Sequence, residues 1–324
     1  MSILSSLREA SAPSVAIEIA ASRVSAAAVE DRGGRVVVSA PAIEALPEGA
    51  LIPALTAANT HDRPAVVGAL SRVVDRLGMR PRRIVLVVPD VIAKVSLVRF
   101  EQVPARPQDL DQLVRWQVRK TAPFAIADAQ VSYVPGFRAP EGQEFIVSIA
   151  RRDIVQEYES LCADIGAHAG IVDLATFGVI NAVLAGSPPR AMDWLLINVT
   201  SGYASIAILR GEHVIFFRNR GADADGTLSD LVHQTAMYYE DRLGGRGFDR
   251  VMLTGGAGGT GRDSAEFEQA RRSLEDRLGR QVESVDPRNA AALTDRISAA
   301  PAVLDVLAPL VGSLLRDREV KVGQ

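Results

Sequence analysis

Cysteine is nearly absent from this 324-residue chain. Its one thiol, Cys162, cannot close an internal disulfide, and the expectation is a reducing compartment. The surrounding Glu159-Ser160-Leu161-Cys162-Ala163 reads as helix, so the thiol is expected to be packed and inert. Long apolar runs are missing too. Nothing approaches the roughly 20 residues that a membrane-crossing helix needs, and Met1–Pro13 has neither the basic start nor the apolar centre of a secretory leader. Direct membrane insertion is therefore not expected, and any contact with a bilayer is expected to pass through a partner. Charge of one sign is not in excess either. With 36 basic and 39 acidic side chains the formal net charge is −3, which argues against nucleic acid and against adsorption to an anionic membrane. The four histidines, His61, His168, His213 and His233, lack metal-ligand spacing, so no metal site is expected. Gly-x-Ser-x-Gly and Walker-type Gly-x-x-x-x-Gly-Lys-Ser are absent, which removes support for serine hydrolases and P-loop enzymes. No acid–base pair stands out among the scattered carboxylates.

What is present begins with an ordinary globular composition, 48% apolar and 23% charged, long enough for about two domains. Two stretches 180 positions apart share one pattern. Ile17–Val29 and Ile197–Leu209 each read as a short apolar strand with one polar residue, a small-residue turn and a second apolar strand. A hairpin into a third strand follows each, through Asp31-Arg32-Gly33-Gly34 and through Arg210-Gly211-Glu212. The repeat predicts two related α/β lobes facing a cleft, with the two strand-to-strand turns as the place to look for a site.

Val66, Val67, Leu70, Val73, Val74 and Leu77 recur at helical spacing, and Gly78 stops that helix. Ile84–Val88 reads as a strand buried on both faces and ends at Pro89-Asp90. From 92 to 172 the order β-α-β-β-α-β predicts an inserted ferredoxin-like subdomain with a closing strand at Gly170–Asp173. The first lobe is expected over 1–190, the second over 191–304, and a C-terminal helix over 305–324 returning to the first. Strand Arg250–Leu253 runs into Thr254-Gly255-Gly256-Ala257-Gly258-Gly259, whose glycines allow backbone to approach a ligand closely. Two phosphate-facing turns plus one Gly-Gly loop make the three-part nucleotide site of the actin-like (ribonuclease-H-like) fold.

The chain resembles the PilM family of type IV pilus assembly proteins. The resemblance rests on a collinear set of segments: Leu113–Phe124, a helix ending in Pro-Phe; Ser148–Val155; Gly166 to Asp173 with Phe177; Tyr238-Tyr239; Thr254-Gly255-Gly256; Val285-Asp286-Pro287; and Gly312–Leu315. It implies an actin-like fold and a nucleotide site formed by Glu18, Ala20, Ser22, Asn198, Thr200, Ser201, Gly202, Gly255, Gly256 and Ala257. It also implies a groove for the extended N-terminal peptide of a PilN-like bitopic membrane protein, with Val95, Leu97, Phe100, Trp116 and Phe124 as its candidate formers. Aromatic-lined grooves with free strand edges suit extended peptides.

Departures from the family pattern bear on chemistry. Where the family has Asp-x-Gly in each turn, this chain has Glu18 with Ala20 and Asn198 with Thr200. Mg²⁺ wants hard oxygen ligands in near-octahedral geometry; Asn198 brings no charge, Glu18 is one methylene too long, and Ala20 and Thr200 put side chains where amides should meet phosphate. After Gly221 the chain also omits the long segment that helps hold adenosine. The expectation is a scaffold, peripheral to a bacterial inner membrane on its cytoplasmic side, that binds a PilN-like tail without hydrolysing ATP. Other pilus or secretion components are further expected partners, and homo-oligomers remain open. The alternative is an ATP- or ADP-binding switch or ATPase with Mg²⁺. A sugar or acetate kinase relative would need a carboxylate at the base of the cleft.

Overall fold

A computed structural model describes residues 12–187, 192–221, 227–256, 262–295, 297–298 and 300–316. Near the N-terminus, apolar β-branched and alanine-rich segments form an antiparallel meander of β1 (Val15–Ala20), β2 (Arg23–Arg32) and β3 (Arg35–Ala45). Gly33 and Gly34 supply the left-handed backbone of the second turn, at φ 66° and 82°. Beside β1, in parallel, lies β4 (Arg83–Val88), then β8 (His168–Leu174), while β14 (Ala292–Leu293) pairs with β3. The sheet order is β14-β3-β2-β1-β4-β8.

The second lobe repeats the plan. β9 (Asp193–Val199), β10 (Tyr203–Arg210) and β11 (His213–Gly221) form the meander, and β12 (Arg250–Thr254) and β13 (Val282–Ser284) add in parallel, giving β11-β10-β9-β12-β13. The 180-residue offset survives in the register. Glu18 faces Ser25 in the first sheet and Asn198 faces Ser205 in the second. Two sheets of this order, facing across a cleft, are the actin-like fold expected from the repeat.

Helices cover the sheets as their apolar faces require. In the first lobe α1 (Arg63–Leu77) begins where the Asp62 carboxylate accepts from the Ala65 amide and ends at left-handed Gly78. With α3 (Arg152–Asp164) it buries Leu70, Val73, Ile154, Tyr158 and Leu161 against the sheet. The opposite face is closed by α4 (Ala175–Gly186) and α7 (Pro301–Leu315), which brings Val306, Leu310, Val311 and Leu314 onto β1, β2 and β4. These helices cross at Gly178 and Gly312, where an added Cβ on either would run into the partner backbone. One face of the second sheet lies under α5 (Leu228–Leu243) and α6 (Arg262–Leu278). Its other face packs Trp194, Leu196 and Leu209 on Val179, Ile180 and Val183 of α4, so α4 is shared by both lobes.

The insert contains β5 (Ala93–Phe100), α2 (Pro107–Val118), β6 (Ala129–Ala139) and β7 (Gly142–Arg151), with sheet order β5-β7-β6. The last helix and strand of the β-α-β-β-α-β run are placed differently from the sequence expectation. β8 pairs with β4 in the lobe's own sheet, and α3 buries its apolar face in the lobe's core. Ile171, Val172 and Leu174 find partners on β4, which is buried from Ile84 to Val88, while α2 covers one face of the three-stranded insert sheet through Val114 and Val118.

Candidate functional site

Between the lobes, Ala20, Ala21 and Ser22 of the β1–β2 turn face Thr200, Ser201 and Gly202 of the β9–β10 turn. A Cβ built on Gly202 would sit 4.0 Å from that of Ala21. The Thr200 hydroxyl accepts from the amides of Gly202 at 3.3 Å and Tyr203 at 3.1 Å. The Thr200 amide itself donates to the Tyr203 carbonyl at 2.8 Å. Amides that would meet a phosphate at this turn are thus engaged with the turn's own threonine.

Glu18 is buried, and its carboxylate accepts from Arg23 Nη2 at 3.1 Å and from Ser25 Oγ at 2.9 Å. Its charge is therefore balanced inside its own hairpin. Asn198, also buried, donates through Nδ2 to the Thr176 hydroxyl of α4 at 2.9 Å. That hydroxyl in turn donates to Asp90, in the turn after β4. Asp90 is fully excluded from solvent. It also accepts from the Thr176 amide at 3.0 Å and from Ser205 Oγ at 2.6 Å, and its carbonyl accepts from Asn219 Nδ2 at 2.9 Å. Burial pushes its carboxyl above the ordinary range, and the Ser205 and Thr176 hydrogen bonds pull it back part of the way. Ser205, Asn198 and Asn219 belong to the second lobe and Asp90 to the first, so this network ties lobe to lobe.

Tyr203 completes the arrangement. Its buried hydroxyl is hydrogen-bonded with the Asp90 backbone and lies near Glu18 and Arg23; burial, then the Asp90 and Glu18 charges, hold its pKa well above the usual tyrosine value. Asp90, Thr176, Ser205 and Tyr203 were not among the residues expected from sequence. The signal for two of them lay in the repeat. Tyr203 stands 180 positions after Arg23, and Ser205 after Ser25, so each hairpin follows its turn with a large polar side chain and then a serine. Asp90 and Thr176 carry no such mark. A carboxylate does sit at the base of the cleft, as a kinase relative would need, but it has no solvent and no open side.

Gly255 and Gly256 answer to packing. Gly255 has φ 96°, and a Cβ there would clash with the Val199 carbonyl; one on Gly256 would enter the Phe267 ring. Ala257, Gly258 and Gly259 lie outside the described residues, as do residues 222–226, where the trimmed adenosine segment was expected. Thr254 Oγ1 donates to Asp305 of α7 at 2.8 Å, a second buried link from the second lobe.

A cavity lies elsewhere. A groove of about 510 Å³ opens between the insert and the first lobe. Its roof comes from alternate residues of β6 and β7: Gln130, Ser132 and Val134, with Ile146, Ser148 and Ala150. Their neighbours Val131, Val147 and Ile149 point the other way, into the core beneath α2. The floor is β8, α3 and the start of α4, including Val155, Val172 and Phe177. Phe177 stacks on Phe217 of β11, with centroids 5.2 Å apart. At one end Arg316 pairs with Asp173 at 3.4 Å.

The expected groove-formers are not the residues found there. Phe100 is buried with the core under α2, Val95 packs against the first lobe's core, and Leu97 is half-buried on β5. Trp116 is 57% exposed on α2, across the sheet from the groove. Phe124 lines a separate pocket with Pro123 and Arg151. Strand alternation accounts for Phe100, which lies on the face of the insert sheet that α2 claims, whereas Val95 and Leu97 stand opposite Ser148 and Ile146 on the cavity's own face but on β5, outside its lining.

A family model described as type IV pilus assembly protein PilM matches residues 16–241. The chain belongs to the PilM family. In the solved structure titled as a PilM-PilN type IV pilus biogenesis complex, a chain is 17% identical with a TM-score of 0.79, covering 94% of this chain and 98% of that one. Weaker similarity, at 11% identity and a TM-score of 0.47, is to a Bacteroides thetaiotaomicron protein with an actin-like ATPase fold (83% of this chain, 89% of that). The cytoplasmic domain of EpsL, an inner membrane component of the Vibrio cholerae type II secretion system, is 9% identical with a TM-score of 0.48 (95% and 94%). No curated protein sequence matches. The PilM match spans both cleft turns and every groove wall except Arg316. Of its paired tyrosines, Tyr239 is buried and donates to Asp193 at 2.9 Å, whereas Tyr238 lies on the surface against Phe216. No helix among the described residues is long and apolar enough to cross a membrane.

Proposed function

We propose that this PilM protein is a docking component of a type IV pilus or related secretion assembly. It holds the extended N-terminal tail of a PilN-like inner-membrane protein in the groove beneath the insert, and it does so without hydrolysing ATP. It is thereby peripheral to the cytoplasmic face of that membrane. The observation that carries this reading is the position of the cavity: it lies between insert and first lobe, and none of Ala20, Ser22, Thr200, Ser201 or Gly202 lines it. The groove has apolar side chains for alternate side chains of an extended peptide and serine and glutamine for its backbone, the combination that strand-like recognition uses.

Support for a non-hydrolytic cleft comes from what occupies it. Glu18 is paired with Arg23, Asn198 with Thr176, and Tyr203 stands between the lobes. Organising a metal–triphosphate and an attacking water would require breaking these contacts. Titrating a synthetic PilN-like tail by calorimetry tests the first half, and no binding at high micromolar peptide sinks it. Thermal unfolding with Mg-ATP tests the second. A ligand at 100 times its Kd adds about 2.7 kcal/mol, so a clear upward shift accompanied by phosphate release would overturn it.

A further inference from the structure

Lysine is scarce in this chain. Only Lys94, Lys120 and Lys321 occur, arginine supplying the other basic groups. Two of the three meet at one spot on the insert. Lys120, just past the end of α2, holds its ammonium 5.8 Å from the centre of the Trp116 ring. Lys94 reaches from β5 to donate to the carbonyl of Thr121, the next residue. Arg119 is exposed beside them, and Arg115 is already neutralised by Asp111 at 2.7 Å. An indole 57% exposed thus stands against Lys120, and Lys94, Arg119 and Lys120 have no carboxylate partner among the described residues.

We infer that this outer face of α2 rests on the headgroup layer of an anionic bilayer. Indoles with their apolar body and polar N–H settle at the headgroup level, and basic side chains flanking them gain from the negative surface potential. Trp116 borders neither the peptide groove nor the pocket at Phe124. A deformable lipid surface can receive one projecting indole, whereas a protein partner would need a complementary pocket and a wider apolar area. The net charge of −3 over the whole chain does not oppose this, because surface charges act within about 10 Å. The inference rests in part on the proposed function, since a bilayer-anchored tail seated on the other face of the insert brings the insert close to the membrane.

Vesicle binding tests it. Trp194, the second tryptophan, is buried with its N–H bonded to the Gly211 carbonyl at 2.9 Å, so changes in emission report Trp116. Phosphatidylglycerol vesicles should shift the emission to the blue and pellet the protein, with both effects weakening as salt is raised; phosphatidylcholine vesicles should do neither. Trp116→Ala should remove the shift, and Lys94→Ala and Lys120→Ala should each weaken pelleting about fivefold. Equal binding to phosphatidylcholine, or unchanged pelleting of the Lys94→Ala/Lys120→Ala double variant, would overturn the inference. So would a blue shift with soluble polyglutamate as large as that with vesicles, which would make the face a reader of acidic polypeptide. Trp116 and Lys120 are exposed and Lys94 is half-buried, and tail-peptide titration on all the variants checks the fold. Loss of peptide binding by the unaltered chain with vesicle binding intact counts against the groove, not against this face.

Discussion

A carboxylate stripped of water must be met by donors, and Asp90 is met by the Thr176 amide and the hydroxyls of Thr176 and Ser205. Truncating it to Ala leaves those groups facing a void. We expect Asp90→Ala to lose about 3 kcal/mol in urea unfolding, the scale of a broken buried polar network, with Asp90→Asn losing less. The sign of the pH effect follows from burial, which raises the folded-state pKa above that of the unfolded chain. The ionisable Asp90 then favours the fold most below the ordinary carboxylate range, and that contribution declines as pH rises through the raised value. The stability difference between the natural chain and Asp90→Asn should therefore shift toward the variant as pH rises; a difference independent of pH contradicts the assignment. Cys162 offers a simpler residue-scale test. Burial pushes its thiol up to about 12, so it should resist thiol reagents in the native protein and react once unfolded.

At the scale of the element, β7 decides where a partner can sit. Its odd residues Phe145, Val147 and Ile149 are core, and its even residues Ile146, Ser148 and Ala150 face the groove. Ser148→Arg should fill the groove and reduce tail-peptide affinity at least tenfold with little change in Tm. Val147→Arg should destabilise the insert itself, by several kcal/mol for an unpaired charge in a core. If both lose binding and stability alike, the groove is not where the roof residues place it. The element scale is also where sequence reading and structure part. Strand and helix spans were legible because apolar periodicity marks them: Ile84–Val88 and the helix from Val66 to Leu77 formed as expected. The partner of β8 was not legible, since a short apolar strand after a helix fits either sheet, both sheets offer an edge, and only the fold brings the buried β4 beside it.

For the whole molecule, the close approach of the turns allows a direct test of whether function needs the lobes to part. The 4.0 Å between the Ala21 Cβ and a Cβ on Gly202 falls within the range spanned by disulfides. An Ala21→Cys/Gly202→Cys variant should cross-link on oxidation, with buried Cys162 not interfering. The oxidised form should bind the tail peptide as well as the reduced form does. A marked loss of affinity on oxidation would mean that the groove depends on lobe opening.

The chain's own order of residues determined the duplicated lobes, the insert's location and the family, because these rest on local periodicity and on collinear segments that persist along the backbone. It also marked the altered turn residues Glu18, Ala20, Asn198 and Thr200. Only the tertiary structure decided what those alterations mean, since Thr176 and Tyr203 reach Asp90 from 86 and 113 positions away in sequence. Burial and hydrogen-bond satisfaction act between neighbours in space, and the folded backbone alone makes those residues neighbours.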